Sequence, residues 1–319
     1  MATYKGISGF NIKSLATDPS NLLEGEIWYN STSGTLKVAP FAESWASGGD
    51  LNTARRQFTG TGITVPTSLA VGGSPALDIM ETYDGSTWTT SPATLGTGRK
   101  DLMSVGSQSA ALVFGGIVST AAVGTAESFN GSAWTSSPAL VTAKQNGGGA
   151  GSVTAAICFA GGPGPSPSKQ TQLWNDVAWT TSPAEMNTSR ESIGFAGQVD
   201  TSVLAFGGAP SNTATESWNG SVWSNEPGMP TALSGQAGAG LGEAALAFGG
   251  GVAGVMNTLT LGWDGTAWST KPSMATARDN LKGSGVETAA LAFGGVTSDP
   301  AVTLAVTEEF TGGATAATI

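Results

Sequence analysis

Five tryptophans recur at nearly equal steps, Trp88, Trp134, Trp179, Trp223 and Trp268, separated by 46, 45, 44 and 45 residues. Each stands five residues after another aromatic: Tyr83, Phe129, Trp174, Trp218 and Trp263. Upstream in every unit an apolar run closes on a glycine pair: Gly72-Gly73, Gly115-Gly116, Gly161-Gly162, Gly207-Gly208 and Gly249-Gly250. A period of this length means an array of supersecondary units that bury their faces against one another. A sixth pair, Gly294-Gly295, is followed by Phe310 but by no tryptophan.

The missing tryptophan is at the other end of the chain. Trp45 lies 43 residues before Trp88, and Arg55 follows it by the step that links Trp88 to Arg99, Trp134 to Lys144, Trp179 to Arg190 and Trp268 to Arg278. The segment Phe41–Trp45 therefore completes the unit that the C-terminus leaves unfinished. An open stack needs capping units, whereas a register shared by both termini indicates a ring, which removes exposed sheet edges. The expected fold is all-β: a six-bladed β-propeller over residues 41–319, with four-stranded antiparallel blades and an N-terminal strand closing the ring. Trp45, Trp88, Trp134, Trp179, Trp223 and Trp268 are its repeat anchors.

The units resemble kelch repeats throughout 41–319: glycine pair after an apolar strand, aromatic, tryptophan, then a basic residue opening the next unit. The aromatic-to-tryptophan connection is short, as in Tyr83-Asp-Gly-Ser-Thr-Trp88 and Trp218-Asn-Gly-Ser-Val-Trp223. Asp-Gly and Asn-Gly favour the type I′ hairpin turn, which is expected here. The strand before each glycine pair is apolar on both faces because neighbouring blades cover it.

Charged residues make up 11% of the chain and the net charge is −10, which argues against nucleic acid as a partner. No apolar run reaches the length of a membrane span, and the first residues lack the basic start and apolar core of a signal peptide. The lone cysteine, Cys158, reads as a small buried hydrophobe. The chain contains no histidine, which removes His-based triads, imidazole metal sites and histidine general bases. Copper-radical oxidases on kelch-like rings need histidine and tyrosine ligands. The Asp-box of sialidases has a residue between Asp and Gly, where Asp84 directly abuts Gly85. No catalytic residue, cofactor site or metal site is expected, and the chain reads as a non-enzyme.

Glu81, Glu127, Glu216 and Glu308 stand at equivalent positions, so a ring spreads them apart rather than pairing them as glycosidases require. Each shares its unit with an arginine: Arg55, Arg99, Arg190 and Arg278 respectively. The third unit has Lys144 with Gln172, and the fifth has Leu233 and Leu261, so both charges vanish together. This covariation within one chain points to ion pairs inside each blade; independent solvent-facing charges are the other reading. Glycine-rich stretches such as 147–151 lack the lysine of a phosphate loop. The connections after each glycine pair, for example 163–168 and 296–300, vary most, and are either a binding face or inert spacers.

Residues 1–40 belong to no repeat. Within them, Gly25-Glu-Ile-Trp-Tyr-Asn30 and Gly34-Thr-Leu-Lys-Val38 read as a hairpin. This stretch resembles the small N-terminal hairpin of bacteriophage tail-fibre and other virion proteins. The resemblance implies an attachment segment, with Ile27, Trp28, Tyr29, Leu36 and Val38 facing a partner; the alternative is a hairpin packed on the propeller. An isolated hairpin is marginal in water, which favours a partner surface. The expected function is a non-enzymatic structural protein of a phage virion (tail fibre, tip or decoration protein) whose partners are other virion proteins through residues 1–40. A carbohydrate-binding propeller for a host surface glycan is the alternative, and an intracellular kelch scaffold a third possibility.

Overall fold

Apolar runs that end in glycine become the most deeply buried strands of the molecule. A computed structural model describes residues 12–19, 26–38, 42–164, 166–210, 212–252, 254–298, 301–312 and 317–318. Among these the chain is all-β, with a single short 3-10 turn at Val65–Thr67, and its four-stranded antiparallel sheets are those of a propeller-like fold. Phe41, Pro165, Asp299 and Pro300, named above in the closing strand or the variable connections, lie outside the described residues.

The first repeat sheet runs Thr59–Thr61, Leu69–Val71, Met80–Tyr83, Trp88–Thr90 from inner to outer strand. The second is Met103–Ser107, Ala110–Phe114, Ala126–Phe129, Trp134–Ser137, and the third Gln145–Gly151, Ala156–Gly162, Gln172–Trp174, Trp179–Thr181. The fourth is Gly194–Val199, Ser202–Phe206, Thr215–Trp218, Trp223–Glu226, and the fifth Ala237–Gly240, Ala245–Phe248, Thr260–Trp263, Trp268–Lys271. In the sixth, Lys282–Val286, Ala289–Phe293 and Thr307–Thr311 are joined by Ser44–Ser47 as the outer strand. Inner strands touch one another in chain order, and Lys282–Val286 touches Thr59–Thr61. Two small hairpins, Ile117–Val118 with Ala121–Ala122 and Gly251–Val252 with Val255–Met256, lie in the connections after the second strand.

The glycine pairs explain themselves through the neighbouring sheet. The first glycine takes a left-handed φ, as at Gly115 (+67°) and Gly207 (+59°). A Cβ on Gly115 would meet the Lys144 carbonyl at 2.5 Å. The second glycine donates its N–H to the carbonyl of the basic-position residue of the next sheet: Gly73 to Arg99 (2.9 Å), Gly116 to Lys144 (2.7 Å), Gly208 to Leu233 (2.8 Å), Gly250 to Arg278 (2.9 Å) and Gly295 to Arg55 (2.9 Å). In the third sheet this bond comes from Gly161 to Arg190 (3.0 Å), and Ala160 takes the left-handed position at φ 55°. The working pair there is Ala160-Gly161, one residue earlier than the sequence suggests, because one residue is inserted after Phe159.

The turn expectation is also corrected. Tyr83 pairs with Trp88, and only Gly85 of the intervening residues has a positive φ, so the connection is a four-residue loop rather than type I′. Asp84 holds it by accepting the backbone N–H of Ser86 and Thr87, each at 2.8 Å.

The chain divides into two compact units, Trp45–Phe310 and a smaller one made of Met1–Ser44 with Thr311–Ile319. The boundary expected at 40/41 therefore moves to 44/45, and the C-terminal residues leave the repeat unit. The reason is strand pairing: Ala317–Thr318 extends the hairpin Ile27–Asn30 and Thr35–Val38, with Lys37 opposite Thr318 and Val38 opposite Ala317. Lys13–Leu15 adds a parallel strand on the other side.

Candidate functional site

Each of the four arginines lies fully buried. Arg99 Nη2 donates to Glu127 Oε1 at 2.7 Å, Arg190 to Glu216 at 2.9 Å and Arg278 to Glu308 at 3.1 Å; Arg55 makes the same pair with Glu81. The remaining donors hold backbone: Arg190 Nη1 reaches the carbonyls of Gly207 (2.9 Å) and Ala214 (2.6 Å), stapling the second strand's exit to the third strand's start. Burial pulls the guanidinium pKa down and the paired glutamate opposes it, leaving Arg278 at about 10.

The glutamates serve a second purpose. Glu216 accepts the N–H of Asn187 (2.6 Å) and Thr188 (3.1 Å), and Glu308 those of Ala275 (2.6 Å) and Thr276 (3.3 Å). In the third sheet Gln172 Oε1 takes the same two bonds, from Val141 (2.8 Å) and Thr142 (3.3 Å). Lys144 does not bond Gln172. Its ammonium is held by the carbonyls of Ala160 (2.8 Å) and Gln170 (2.9 Å), and burial lowers its pKa, with Cys158 and Glu185 opposing. In the fifth sheet Leu233 and Leu261 are both buried in one cluster. The residue matching Asn187 there is Pro230, which has no N–H to satisfy. The sequence carried this third change, but only as a lost backbone donor.

The anchors bridge sheets. Trp88 packs, tilted or edge-on like its counterparts, 4.9 Å from Phe293, Trp179 4.7 Å from Phe114, Trp223 5.1 Å from Phe159, Trp268 5.1 Å from Phe206 and Trp45 5.1 Å from Phe248. Their indole N–H groups donate to a threonine of the preceding sheet: Trp45 to Thr260, Trp88 to Thr307 and Trp268 to Thr215 at 3.0 Å, and Trp223 to Thr171 at 2.9 Å. Trp134 and Trp179 have no acceptor among the described residues, because Met80 and Ala126 occupy the threonine position.

A polar mouth lies where the inner strands begin. Two residues after each basic position, Gln57, Asp101, Asn146, Ser192, Gly235 and Asn280 all take left-handed φ angles, between 49° and 67°. Their backbones form a chain: Asp101 N–H to Gln57 O (2.6 Å), Asn146 to Asp101 (3.0 Å), Ser192 to Asn146 (2.9 Å), Gly235 to Ser192 (2.9 Å) and Asn280 to Gly235 (2.9 Å). The preceding residues bridge to the variable connections, for example Glu191 with Ala209 and Asp279 with Val296, so mouth and connections share one end. The six left-handed residues and Lys282 line a cavity of about 20 Å³. Burial raises the Asp101 carboxyl pKa, with Lys282 and Lys100 opposing, and lowers that of Lys282, with Asp101 opposing. The other end of the inner strands lines a cavity of about 60 Å³, into which the fourth sheet contributes its larger side chains. Phe195 stands there among glycines, and Gln198 Nε2 crosses to Ile63 O at 3.0 Å.

In the smaller unit Trp28 is fully buried and cannot face a partner; this corrects its place among the attachment residues. Asp18 is the cause: it accepts from Trp28 Nε1 (3.0 Å), Asn30 Nδ2 (2.7 Å) and Lys37 Nζ (2.5 Å), which hold its pKa at about 2. Ile27 is exposed, while Tyr29, Leu36 and Val38 are half-buried.

No protein-family model and no curated protein sequence matches the chain. Among solved structures, one titled "Structure of YjhT" is similar with a TM-score of 0.70 at 13% identity, covering 82% of this chain and 96% of that one. At that identity the likeness is one of fold, a β-propeller, and folds of this kind host many functions.

Proposed function

We propose that residues 45–310 form a closed six-bladed, kelch-like propeller that serves as a non-enzymatic binding scaffold on a bacteriophage particle, as a tail fibre, tip or decoration protein. The sheet built by the two termini is its attachment element. Closure is supported by contacts between the sixth and first sheets of the kind that join other neighbouring sheets: Gly295 to Arg55 (2.9 Å), Trp88 on Phe293 (4.9 Å) and Trp88 to Thr307 (3.0 Å). The non-enzymatic reading rests on the repeated carboxylates being committed to staples inside each sheet. The virion reading is carried by one observation: the phage-like "GEIWYNSTSGTLKV" stretch belongs to a unit separate from the repeats.

Labelling the protein on purified particles tests this. Signal at a fixed place on the particle, lost when residues 1–42 are removed, is the expected result; absence from purified particles overturns it. A second reading, a carbohydrate-binding propeller, is favoured by the convergent polar side chains of the mouth.

A further inference from the structure

We infer that the polar mouth is an end-on binding site for a neutral polyhydroxylated ligand, one sugar residue presenting its hydroxyl edge to Asp101, Asn146, Ser192 and Lys282. This rests on the carbohydrate-binding reading and names its site, the mouth rather than the variable connections beside it.

The argument is a census of what is free to bond. Gln57 spends its amide nitrogen on Asp101 (3.1 Å) and Asn280 spends its own on Asp279 (2.9 Å), so both turn an oxygen outward as the unused end. The side chains of Asn146, Ser192 and Lys282 have no hydrogen-bond partner among the described residues, and all three line the cavity. The mouth thus offers several acceptors, a carboxylate and one ammonium. A metal cation would meet Lys282, and an anion would meet Asp101 with Glu191 behind it, whose carboxyl pKa is raised by burial and by Asp101. A ligand whose groups each donate and accept satisfies both signs without adding charge, which is what hydroxyls do. The cavity of about 20 Å³ admits a single hydroxyl-sized group, so the sugar enters end-on rather than lying within. The ring backbone is fixed by its own hydrogen bonds, so the site is formed before the ligand arrives.

Saturation-transfer NMR on the intact chain with a panel of free hexoses and N-acetylhexosamines, and with methylammonium and acetate as ionic probes, tests this. The expected result is binding of at least one sugar, weakened about tenfold or more by Lys282→Met and by Asn146→Ala. A connection variant, Val255→Ser, leaves it unchanged. Asn146→Ala keeps the test open if Lys282→Met fails to fold. Sugar binding that ignores both mouth substitutions overturns the site and leaves the carbohydrate reading standing. Absence of any sugar binding, or response to the ions alone, overturns both. Particle association is indifferent to Lys282→Met, which separates these outcomes from the virion reading.

Discussion

Two buried indoles lack what their four counterparts have. Trp179 meets Ala126 where four of the other sheets present threonine, so Ala126→Thr supplies the absent acceptor. We expect a gain of about 1 kcal/mol in chemical denaturation. The turn residue Asp176 holds φ 71°, a position filled by glycine in the corresponding loops at Gly85, Gly131, Gly220 and Gly265. It is exposed, so Asp176→Gly relieves left-handed strain and raises stability by up to about 1 kcal/mol. Asp18 gives the third prediction. Its folded pKa of about 2 lies below its ordinary value of 3.8, so its contribution is complete above that value and is lost as pH falls toward 2. The Trp28 indole N–H resonance should shift with a midpoint near pH 2, and Asp18→Asn should abolish that shift.

At the scale of the sheet, the staple is a three-part device. Glu216→Ala strands Arg190 and two backbone N–H groups together, a loss of roughly 3–5 kcal/mol. Replacing Arg190 and Glu216 by leucine removes the charges but leaves the N–H groups of Asn187 and Thr188 without their acceptor. Adding Asn187→Pro, as the fifth sheet has at Pro230, removes one of them. Recovery should therefore rise from the double to the triple variant. Equal stabilities would mean the carboxylate's backbone bonds contribute nothing, and urea titration of the series decides it. The arginine–glutamate covariation was legible because two charges disappear from one repeat at once. Pro230 was not, since a missing N–H leaves no mark in a pattern of side chains. Trp28 was misplaced for a related reason: an aromatic in a short strand looks exposed until Asp18, ten residues upstream, is seen to bond it.

For the whole molecule, the repeat register was readable across both termini, and the strand from Ser44 to Ser47 takes its place beside Thr307–Thr311. What the repeats do not announce is the pairing of the C-terminus with the N-terminal hairpin, because Ala317–Thr318 is too short and too featureless to declare a partner. A chain of residues 43–312 should melt cooperatively, close to the full protein. One beginning at residue 48 loses Trp45, its bond to Thr260 and its edge-on contact with Phe248, exposes a sheet edge and should aggregate on heating. Light scattering during thermal melting distinguishes the two.

The paired termini have a mechanical meaning. Thr35–Val38 lies beside Ala317–Thr318 in the small sheet, and Ser44–Ser47 lies beside Thr307–Thr311 in the sixth, so the chain links the two sheets twice, through strands that are neighbours in each. Tension applied to the small sheet is divided between two connectors rather than concentrated on one. A protease that cuts either connector leaves the other intact and still paired at both ends. A chain joined to itself in this way tolerates a single nick.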